Sequence, residues 1–404
     1  MKYVFCSSIY NMKDYDSLSK KSKISLSLAD HNLNSNIILG LDEATGVKTT
    51  LVNNTQIPSY PKYPKVFFKR QLWAHSEGAN DLNCGFINLP VLKHISRAIT
   101  TFKEVRKIIK EEGPENVCLL TYDLRLGISI ALKLIKKFYK RVRTCVVLPD
   151  IPTALIVVNG GGKVSFKAKM RALVKSSFIN QYDSYVFLTE YMKEAVNVEN
   201  KSYTIVEGIY NSSQPELPDS TSDKKVILYT GQLNAAYGME NLLEAFVELY
   251  KEDTDYELWI CGGGGLANHI KELAVSCKGI KFMGYVGPEK VRECQQNATV
   301  LINPRQNIGE FTKYSFPSKT MEYLASQRPV IGYKLDGIPN DYDEFMVYVE
   351  DNSIDALKQK LKETCSLSKS KRQAMGKKAR AFILEHKNPK KQCEKIVKMV
   401  EALK

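Results

Sequence analysis

Polar and charged residues suited to binding a phosphate are concentrated between residues 303 and 322. A predicted strand ends in Asn-Pro-Arg at 303–305, and Ser-Phe-Pro-Ser at 315–318 precedes a predicted helix. We expect Ser315 or Phe316 at the helix N-cap and Pro317 in the first turn, where the missing N–H of proline is harmless. The free N–H groups and the dipole of a helix N-terminus attract anions. The candidate residues for this pyrophosphate site are Arg305, Lys313, Ser315, Phe316, Pro317, Ser318 and Lys319.

One carboxylate accompanies these cations. Glu322 follows Ser318 by four positions and so lies one turn further along the same helix face. A carboxylate can accept two hydrogen bonds from the diol of a ribose. The alternative is an ordinary glutamate on a helix surface. Together with the cations, Glu322 predicts a site for a nucleoside diphosphate.

Two glycine-bearing turns follow other predicted strands. Gly231 and Gln232 end the strand that starts near Lys225, and glycine would let a ligand approach the backbone closely. Four consecutive glycines at 262–265 end the next strand, and we take Gly262 and Gly263 as candidate phosphate contacts. A flexible turn without a ligand is the competing interpretation of the four glycines.

The elements that must position these residues alternate between strands and helices, which predicts parallel α/β sheets. The predicted strands of the first half are 3–7, 36–39, 66–69, 117–122, 144–148, 184–188 and 203–206. Those of the second half are 225–229, 257–261, 280–282, 300–302, 330–333 and 346–349, with helices at 239–249, 266–275, 288–296 and 319–326. We expect two doubly wound domains facing one another across a cleft, with ligands at the carboxyl ends of the strands. The predicted domains are 1–207, joined by a last helix at about 388–404, and 224–387, with a polar linker at 208–223.

Composition excludes several protein classes. The 404 residues are 44% hydrophobic and contain no apolar run long enough for a transmembrane helix. The N-terminus is expected to be a strand and not a signal peptide. Nine scattered cysteines form no CxxC pair, and five histidines show no metal-binding spacing. We therefore predict a cytoplasmic protein with buried thiols and no bound metal.

Positive charge is concentrated in the first half. Residues 1–210 hold 30 Lys and Arg against 18 Asp and Glu, whereas the formal net charge of the whole chain is +14. The segments 133–143 and 163–175 interleave these cations with apolar residues at helical spacing. An anionic membrane surface is the partner that we expect, and an ordinary solvated helix face is the alternative. Nucleic acid is not expected, because no nucleic-acid-binding motif accompanies the charge.

The order of motifs from about 225 to 349 resembles the donor-binding domain of the retaining glycosyltransferases of family 4, which have the GT-B fold. The motifs are Tyr-Thr-Gly at 229–231, Trp-Ile-Cys-Gly-Gly-Gly at 259–264, Phe-Met-Gly-Tyr-Val at 282–286, Asn-Pro-Arg at 303–305 and Phe-Pro-Ser-Lys-x-x-Glu at 316–322. The resemblance implies that Glu322 binds the ribose and that Tyr285 and Val286 belong to the donor site. It also implies a strand-end acidic residue in the first domain, which would be Asp150, near the reacting sugar. A turn-capping aspartate is the alternative for Asp150.

Three positions depart from the family pattern. The family has a second glutamate eight positions before the ribose-binding one, and here that position is Tyr314. We expect Glu310 or the backbone amides of 314–316 to contact the donor sugar instead. Gln232 and Tyr237 stand where the family often has Arg and Lys, so Arg305 and Lys319 would carry more of the phosphate charge.

The resemblance implies transfer of a sugar from a nucleotide diphosphate sugar, a UDP-sugar above all, to a hydroxyl of a glycan or lipid-linked acceptor. The anomeric configuration would be retained, no metal or other cofactor would be needed, and the product would enter a surface polysaccharide. The expected place of action is the inner face of the cell membrane. Two alternatives remain: a catalytically silent partner subunit, motivated by the three departures, and a nucleotide-sugar epimerase, for which His94 and His269 are poorly placed.

Overall fold

The computed structural model describes residues 1–151, 166–198, 200–211, 217–218 and 224–403. The chain divides into two compact units. The first unit comprises Met1–Asn211 and Asn388–Lys404, and the second comprises Ser212–Lys387. The division therefore falls inside the segment 208–223, which the sequence predicts as a linker.

The first unit is built on an eight-stranded sheet with the order β10-β9-β8-β7-β1-β2-β5-β4. Its strands are β1 (Lys2–Ser7), β2 (Thr50–Asn53), β4 (Gln71–Trp73), β5 (Asp81–Asn83), β7 (Val117–Tyr122), β8 (Arg143–Leu148), β9 (Ser184–Phe187) and β10 (Ser202–Ile205). A separate two-stranded sheet consists of β3 (Phe67–Phe68) and β6 (Phe86–Ile87). The helices are α1 (Met12–Lys21), α2 (Leu28–Thr45), α3 (Leu92–Glu112), α4 (Leu126–Phe138), α5 (Phe166–Ser176), α6 (Met192–Val196) and α13 (Pro389–Glu401).

Most of this sheet is parallel, as predicted, but two details differ from the prediction. The edge strand β4 is antiparallel to β5, and β3 is antiparallel to β6. The strand predicted at 36–39 is wrong, because these residues lie in the middle of α2. The buried residues of α2 include His31, Asn34, Ile37, Ile38 and Leu41, a spacing of three to four that places one helix face in the core. A short apolar run does not by itself distinguish this pattern from a strand.

The second unit contains a six-stranded sheet, parallel throughout, with the order β13-β12-β11-β14-β15-β16. The strands are β11 (Lys225–Gln232), β12 (Tyr256–Gly263), β13 (Ile280–Gly284), β14 (Val300–Asn303), β15 (Val330–Gly332) and β16 (Met346–Tyr348). The helices are α7 (Met239–Glu252), α8 (Ala267–Ser276), α9 (Pro288–Asn297), α10 (Lys319–Ala325), α11 (Ile354–Cys365) and α12 (Lys369–His386). The order reverses direction at β11, so ligands are expected at the carboxyl ends of β11 and β14.

The core of the first unit lies between its large sheet and the helices α2 and α13. Apolar residues of α13, among them Ile396 and Val400, are fully buried against Ile37 and Leu41 of α2. The last helix of the chain is therefore part of the first unit, because its apolar stripe has a matching stripe to cover. All nine cysteines are free and buried.

A partly buried histidine between β4 and β5 links β5 to α2 in the first unit. His75 Nδ1 lies 2.8 Å from Asp81 Oδ2, and His75 Nε2 lies 3.1 Å from Asp42 Oδ2. Burial lowers the pKa of His75, but the hydrogen bonds and charges of Asp42 and Asp81 outweigh it and raise this pKa to about 9. Protonated His75 therefore donates from both ring nitrogens.

Within the described residues, we find no helix that combines the length and the apolar composition needed to cross a lipid bilayer.

Candidate active site

Arg305 is the buried cation at the carboxyl end of β14. The residue is 6% exposed, and its Nη2 donates to Ser315 Oγ at 2.8 Å. The guanidinium lies over the Phe311 ring at 4.4 Å and near the Tyr237 ring at 5.9 Å. Within the described residues, its Nε has no hydrogen-bond partner and no carboxylate forms an ion pair with it. Burial lowers the pKa of Arg305, so its positive charge is held in a place that favours an incoming anion.

Backbone packing holds Tyr237 and Arg305 beside each other. Gly238 follows Tyr237 in a left-handed conformation with φ of 73°, and a Cβ at this position would lie 1.8 Å from the carbonyl oxygen of Pro304. Only glycine fits this close approach. The start of α7 and the end of β14 are thus brought together through a position that carries no side chain.

The helix α10 is anchored to the ends of two strands. Tyr323 Oη accepts from the backbone N–H of Thr230 at 2.8 Å and lies 3.1 Å from its carbonyl oxygen. Asn303 Nδ2 donates to Thr320 Oγ1 at 3.4 Å. These bonds join α10 to the carboxyl ends of β11 and β14, so the predicted residues of 305–322 and of 230–232 belong to one edge of the sheet.

The predicted range of this helix, 319–326, begins at the observed first residue, but the predicted N-cap is wrong by two to three residues. The N-cap is Ser318 rather than Ser315 or Phe316, and Pro317 precedes the helix instead of lying in its first turn. Ser318 makes no capping bond with its side chain, and the helix has only seven residues. The cause is local packing: Phe316 is buried against Tyr342, with ring centroids 5.3 Å apart, and this keeps the preceding segment out of the helix.

Lys319 and Glu322 form an exposed ion pair on the first turn of α10. Lys319 Nζ lies 2.5 Å from Glu322 Oε2, and the two side chains are 41% and 47% exposed. Both groups are accessible, and each satisfies the other without a ligand. A ligand that uses either charge must compete with this pair, which is weak because it is exposed to solvent.

The segment before α10 forms a short turn that carries the next candidates. Glu310 begins a 3-10 helix, Glu310–Thr312, and is exposed. Ser315 donates to the carbonyl oxygen of Phe311 at 3.1 Å while it accepts from Arg305. Tyr314 is partly exposed. The turn therefore positions Ser315 on Arg305 and leaves Glu310 outside the buried cluster.

The four-glycine turn serves two purposes. A Cβ on Gly262 would lie 1.8 Å from the carbonyl oxygen of Gly231, and one on Gly264 would lie 2.4 Å from that of Leu233. Both glycines have positive φ, 148° and 154°. They are required by close packing of β12 against β11. Gly263 has no atom near its Cβ position and is exposed, so it is the candidate phosphate contact of this turn.

The remaining predicted donor residues of the second unit are on the surface. Gln232 is exposed at the end of β11, where the carbonyl oxygen of Gln232 accepts from Tyr229 Oη at 2.7 Å. Tyr285 is 93% exposed after β13, and Val286 is half-buried. The described contacts of Arg305 are with Ser315, Phe311 and Tyr237, so the structure does not place Tyr285 or Val286 in the same cluster.

Asp150 belongs to the first unit, two residues after β8. Its side chain is exposed, and partial desolvation together with the charge of Asp123 raises its pKa, while Lys175 opposes this change. The Asn-Gly-Gly-Gly segment at 159–162, whose sequence suits a flexible turn or an acceptor loop, lies outside the described residues. Among the described residues, no group of three or more His, Cys, Asp or Glu side chains has the geometry of a metal site.

Sequence reasoning missed the residues that hold this site together. Tyr323 and Asn303 form the anchoring bonds of α10, and Phe311 covers the Arg305 guanidinium. These roles depend on tertiary contacts. Only Gly238 carried a sequence signal, because a glycine just before an amphipathic helix indicates a constrained turn.

Comparisons with known proteins place this site in context. Residues 213–382 match the family model described as glycosyl transferases group 1. No curated protein matches the sequence significantly. Among solved structures, a mutant of S. aureus TarM in complex with fondaparinux, alpha-GlcNAc-glycerol and UDP aligns with a TM-score of 0.55 at 14% identity, over 86% of this chain and 66% of that chain.

Two further structures align over the whole chain. The lipopolysaccharide outer core galactosyltransferase WaaB has a TM-score of 0.62 at 13% identity, with 100% of this chain and 99% of that chain covered. The pneumococcal O-GlcNAc transferase GtfA, in complex with UDP and GlcNAc, has a TM-score of 0.55 at 12% identity, with 100% and 99% covered. These likenesses show the GT-B fold, and the match of residues 213–382 to the glycosyl transferases group 1 model supports a glycosyltransferase enzyme.

Proposed function

We propose that the protein transfers a sugar from a nucleotide diphosphate sugar, with retention of configuration, to a hydroxyl of a glycan or lipid-linked acceptor. The observation that carries this proposal is Arg305, a buried guanidinium that forms no ion pair with a carboxylate of the described residues, at the carboxyl edge of β14. A uridine nucleotide is the first candidate for the donor, because the neighbouring TarM and GtfA structures contain UDP. A role in surface polysaccharide synthesis is supported by the likeness to WaaB.

The diphosphate is proposed to bind between Arg305 and Lys319. Both cations stand at the edge where β14 meets the start of α10, and Gly263 offers an open backbone approach on the neighbouring turn. In a retaining transfer, negative charge grows on the leaving phosphate as the glycosidic bond breaks. Cations held in place before the reaction stabilise this charge without reorganising.

Glu322 is proposed to bind the ribose. Its carboxylate is exposed one turn into α10, where Lys319 is its ion-pair partner. When the diphosphate attracts Lys319, the carboxylate is released to accept two hydrogen bonds from the ribose diol. The same event would therefore complete both halves of the donor site.

No carboxylate nucleophile is required by this proposal. A phosphate oxygen of the donor can accept the proton of the acceptor hydroxyl on the same face of the sugar. The oxygen then leaves with the nucleoside diphosphate, and the new glycosidic bond forms with the original configuration. We propose that the reaction needs no metal, since the cationic side chains take the role that a divalent ion has elsewhere.

Calorimetric titration with UDP-, GDP- and dTDP-sugars tests the donor. We expect saturable binding of one nucleotide class, followed by slow release of the nucleoside diphosphate through hydrolysis when no acceptor is added. Binding without turnover on any acceptor tested would favour the silent partner subunit. Conversion of the donor sugar to its epimer would favour the epimerase.

A matched pair of variants tests the ribose contact. Glu322→Ala should weaken donor binding by about 1.5–3 kcal/mol, or about 10- to 150-fold, because a charge-assisted contact is lost. Glu293→Ala is the control, since Glu293 also forms an exposed ion pair three residues from a lysine, Lys290, at 2.6 Å. Equal affinity of the two folded variants would contradict the placement of the ribose at Glu322.

We also propose that the first unit binds an anionic membrane through the cationic helices α4 and α5. The helix α5 exposes Phe166, Met170 and Leu173 at 77%, 43% and 64%, and the cations Lys169 and Arg171 lie among them. On α4, Phe138 is 65% exposed and is preceded by the exposed cation Lys137. Exposed apolar residues among cations are typical of a helix at a membrane interface.

Some of the predicted cations are already neutralised within the protein. Lys175 lies 2.7 Å from Asp123, and Lys136 lies 2.8 Å from Asp183. These two lysines therefore contribute less to membrane attraction than their neighbours. The membrane test is best directed at the exposed cations of α5.

Flotation with anionic liposomes tests this surface. Binding should fall as salt rises, because each exposed cation near the leaflet contributes about 1 kcal/mol that salt screens. Lys169→Glu with Arg171→Glu should weaken it, and Lys371→Glu with Lys377→Glu on the second unit is the control of equal charge change. If both double variants still float with the liposomes, or if the wild type does not float at low salt, a membrane surface at α5 is contradicted.

A further inference from the structure

Three cations of the first unit converge on one short segment. Lys93 and Arg97 lie on α3, and Arg125 is the N-cap of α4 just after β7. Lys93 Nζ donates to a backbone carbonyl, Arg97 Nη2 donates to another at 2.6 Å, and Arg125 Nη2 donates to a side-chain amide oxygen at 3.2 Å. All three acceptors belong to residues 55–57, which follow β2. We call these three residues the cationic cluster.

The charge of the cationic cluster is only partly balanced. Arg125 lies 3.1 Å from Asp30, but no carboxylate in the described part of the chain forms an ion pair with Lys93 or Arg97. Lys93 is only 6% exposed. Burial, and then the charges of Arg97 and Arg125, lower the pKa of Lys93 to about 7, and burial lowers that of Arg97 to about 9. Cations removed from water are ordinarily paired, so buried Lys93 and half-buried Arg97 without a carboxylate indicate a missing anion.

Unpaired polar atoms surround the same place. Ser8 Oγ and Tyr10 Oη, just after β1, and Asn54 Oδ1, just after β2, are buried and have no hydrogen-bond partner among the described residues. The Nε atoms of Arg97 and Arg125 are also buried and have no hydrogen-bond partner among the described residues. Buried polar groups in proteins are nearly always paired, so a group of exceptions at one sheet edge calls for a ligand.

The position of the cationic cluster in the sheet agrees with a binding site. The sheet order places β1 between β7 and β2. The chain first continues from β1 to β2 on one side and later returns to β7 on the other side, so the order of the strands reverses at β1. Ligands of doubly wound sheets bind at such a reversal, outside the carboxyl ends of the strands. The loops after β1, β2 and β7 carry the unpaired atoms and Arg125.

We propose that the cationic cluster binds a phosphate group carried by the acceptor. This inference deepens the proposed function, on which it rests, by naming the chemical class of the acceptor. A phosphate ester carries a charge of about −1.5 to −2 at neutral pH, which can balance Arg97 and also favour the protonated form of Lys93, whose pKa is about 7 without a ligand. A carboxylate would balance only one of them. Two guanidinium groups also present planar N–H forks that suit phosphate oxygens.

Thermal unfolding and calorimetry with inorganic phosphate test the site. Phosphate should raise the melting temperature of the wild type, relative to chloride at equal ionic strength, and should bind saturably. Arg97→Met should bind phosphate at least tenfold more weakly and lose most of the phosphate-dependent shift. Arg70→Met is the matched control, because Arg70 lies in the same unit but is paired with Glu104 at 3.0 Å and is 51% exposed.

The phosphate-dependent shift separates a ligand role from a structural one. If Arg97 only supports the loop at 55–57, Arg97→Met lowers the melting temperature but keeps the shift, and the proposal fails. Equal phosphate binding by the Arg97 and Arg70 variants would show non-specific attraction, and the proposal fails again. Arg97→Lys, which keeps the charge, should fold and retain part of the affinity if the methionine variant does not fold.

Two further probes identify the source of the phosphate. Glycerol 3-phosphate represents a soluble phosphorylated acceptor, and a short-chain prenyl diphosphate represents a lipid-linked one. Tighter binding of one than of inorganic phosphate assigns the source, and tighter binding of neither overturns the proposal. Nucleotide-sugar binding is measured on the same samples: its absence in the wild type would refute the proposed donor site while the phosphate result stands by itself.

Discussion

Removal of the Arg305 charge is expected to slow sugar transfer far more than it changes the stability of the fold. In Arg305→Met the unbranched side chain keeps most of the volume beside Phe311, and the lost bond is the one to Ser315 at 2.8 Å. No ion pair of the described residues is broken, so the free energy of unfolding should change by about 1 kcal/mol or less. A charge-assisted hydrogen bond to the leaving phosphate is worth about 1.5–3 kcal/mol, which corresponds to about a 10- to 150-fold decrease in turnover.

Steady-state release of the nucleoside diphosphate measures this effect. Because the phosphate charge grows as the glycosidic bond breaks, the decrease should appear mainly in kcat and less in the affinity for the donor. Arg305→Lys should recover part of the rate, since it keeps the charge but not the planar fork. Lys371→Met, an exposed cation of α12, is the control for charge alone. Wild-type kcat in a folded Arg305→Met variant would refute the assignment of the phosphate site.

Two further predictions concern the stability of the fold. Gly238→Ala should destabilise the second unit by about 2 kcal/mol or more, because the new Cβ would meet the Pro304 carbonyl oxygen. The control is Gly284→Ala, also at positive φ but with open space around it, which should destabilise by about 1 kcal/mol. Similar melting temperatures of the two variants would argue against the close contact at Gly238. For His75, whose pKa rises from about 6.5 unfolded to about 9 folded, the stabilisation of about 3 kcal/mol is complete below pH 6.5 and is lost as pH rises through 9. The difference in urea stability between the wild type and His75→Gln should therefore shrink between pH 6.5 and pH 10, and a constant difference would contradict the linkage.

Local patterns were sufficient to predict most of the second unit. The predicted strands and helices from 225 to 349 all exist, because buried parallel strands appear as short apolar runs and the helices between them have a clear apolar stripe. The same patterns indicated Arg305, Lys319 and Glu322 as neighbours in the chain. Lys319 and Glu322 are three residues apart, so their side chains are neighbours on any helix that contains both.

The first unit was harder to predict because several of its elements are short or ambiguous. The short apolar run at 36–39 is compatible with a buried strand and with a buried helix. Only its packing against α13 shows that it is helical. The strands β4, β5 and β6 have two or three residues each, too few to show a period.

The amino-acid sequence by itself determined the class of fold, the glycine turns and the polar residues of the segment 303–322, because these depend on local periodicity and on spacing within a few residues. The tertiary structure decided which of these residues meet. It paired Arg305 with Ser315, placed the N-cap of α10 at Ser318, and gathered Lys93, Arg97 and Arg125 from separate elements around one loop. Burial and the balance of charge depend on contacts between distant parts of the chain, and no local pattern encodes such contacts.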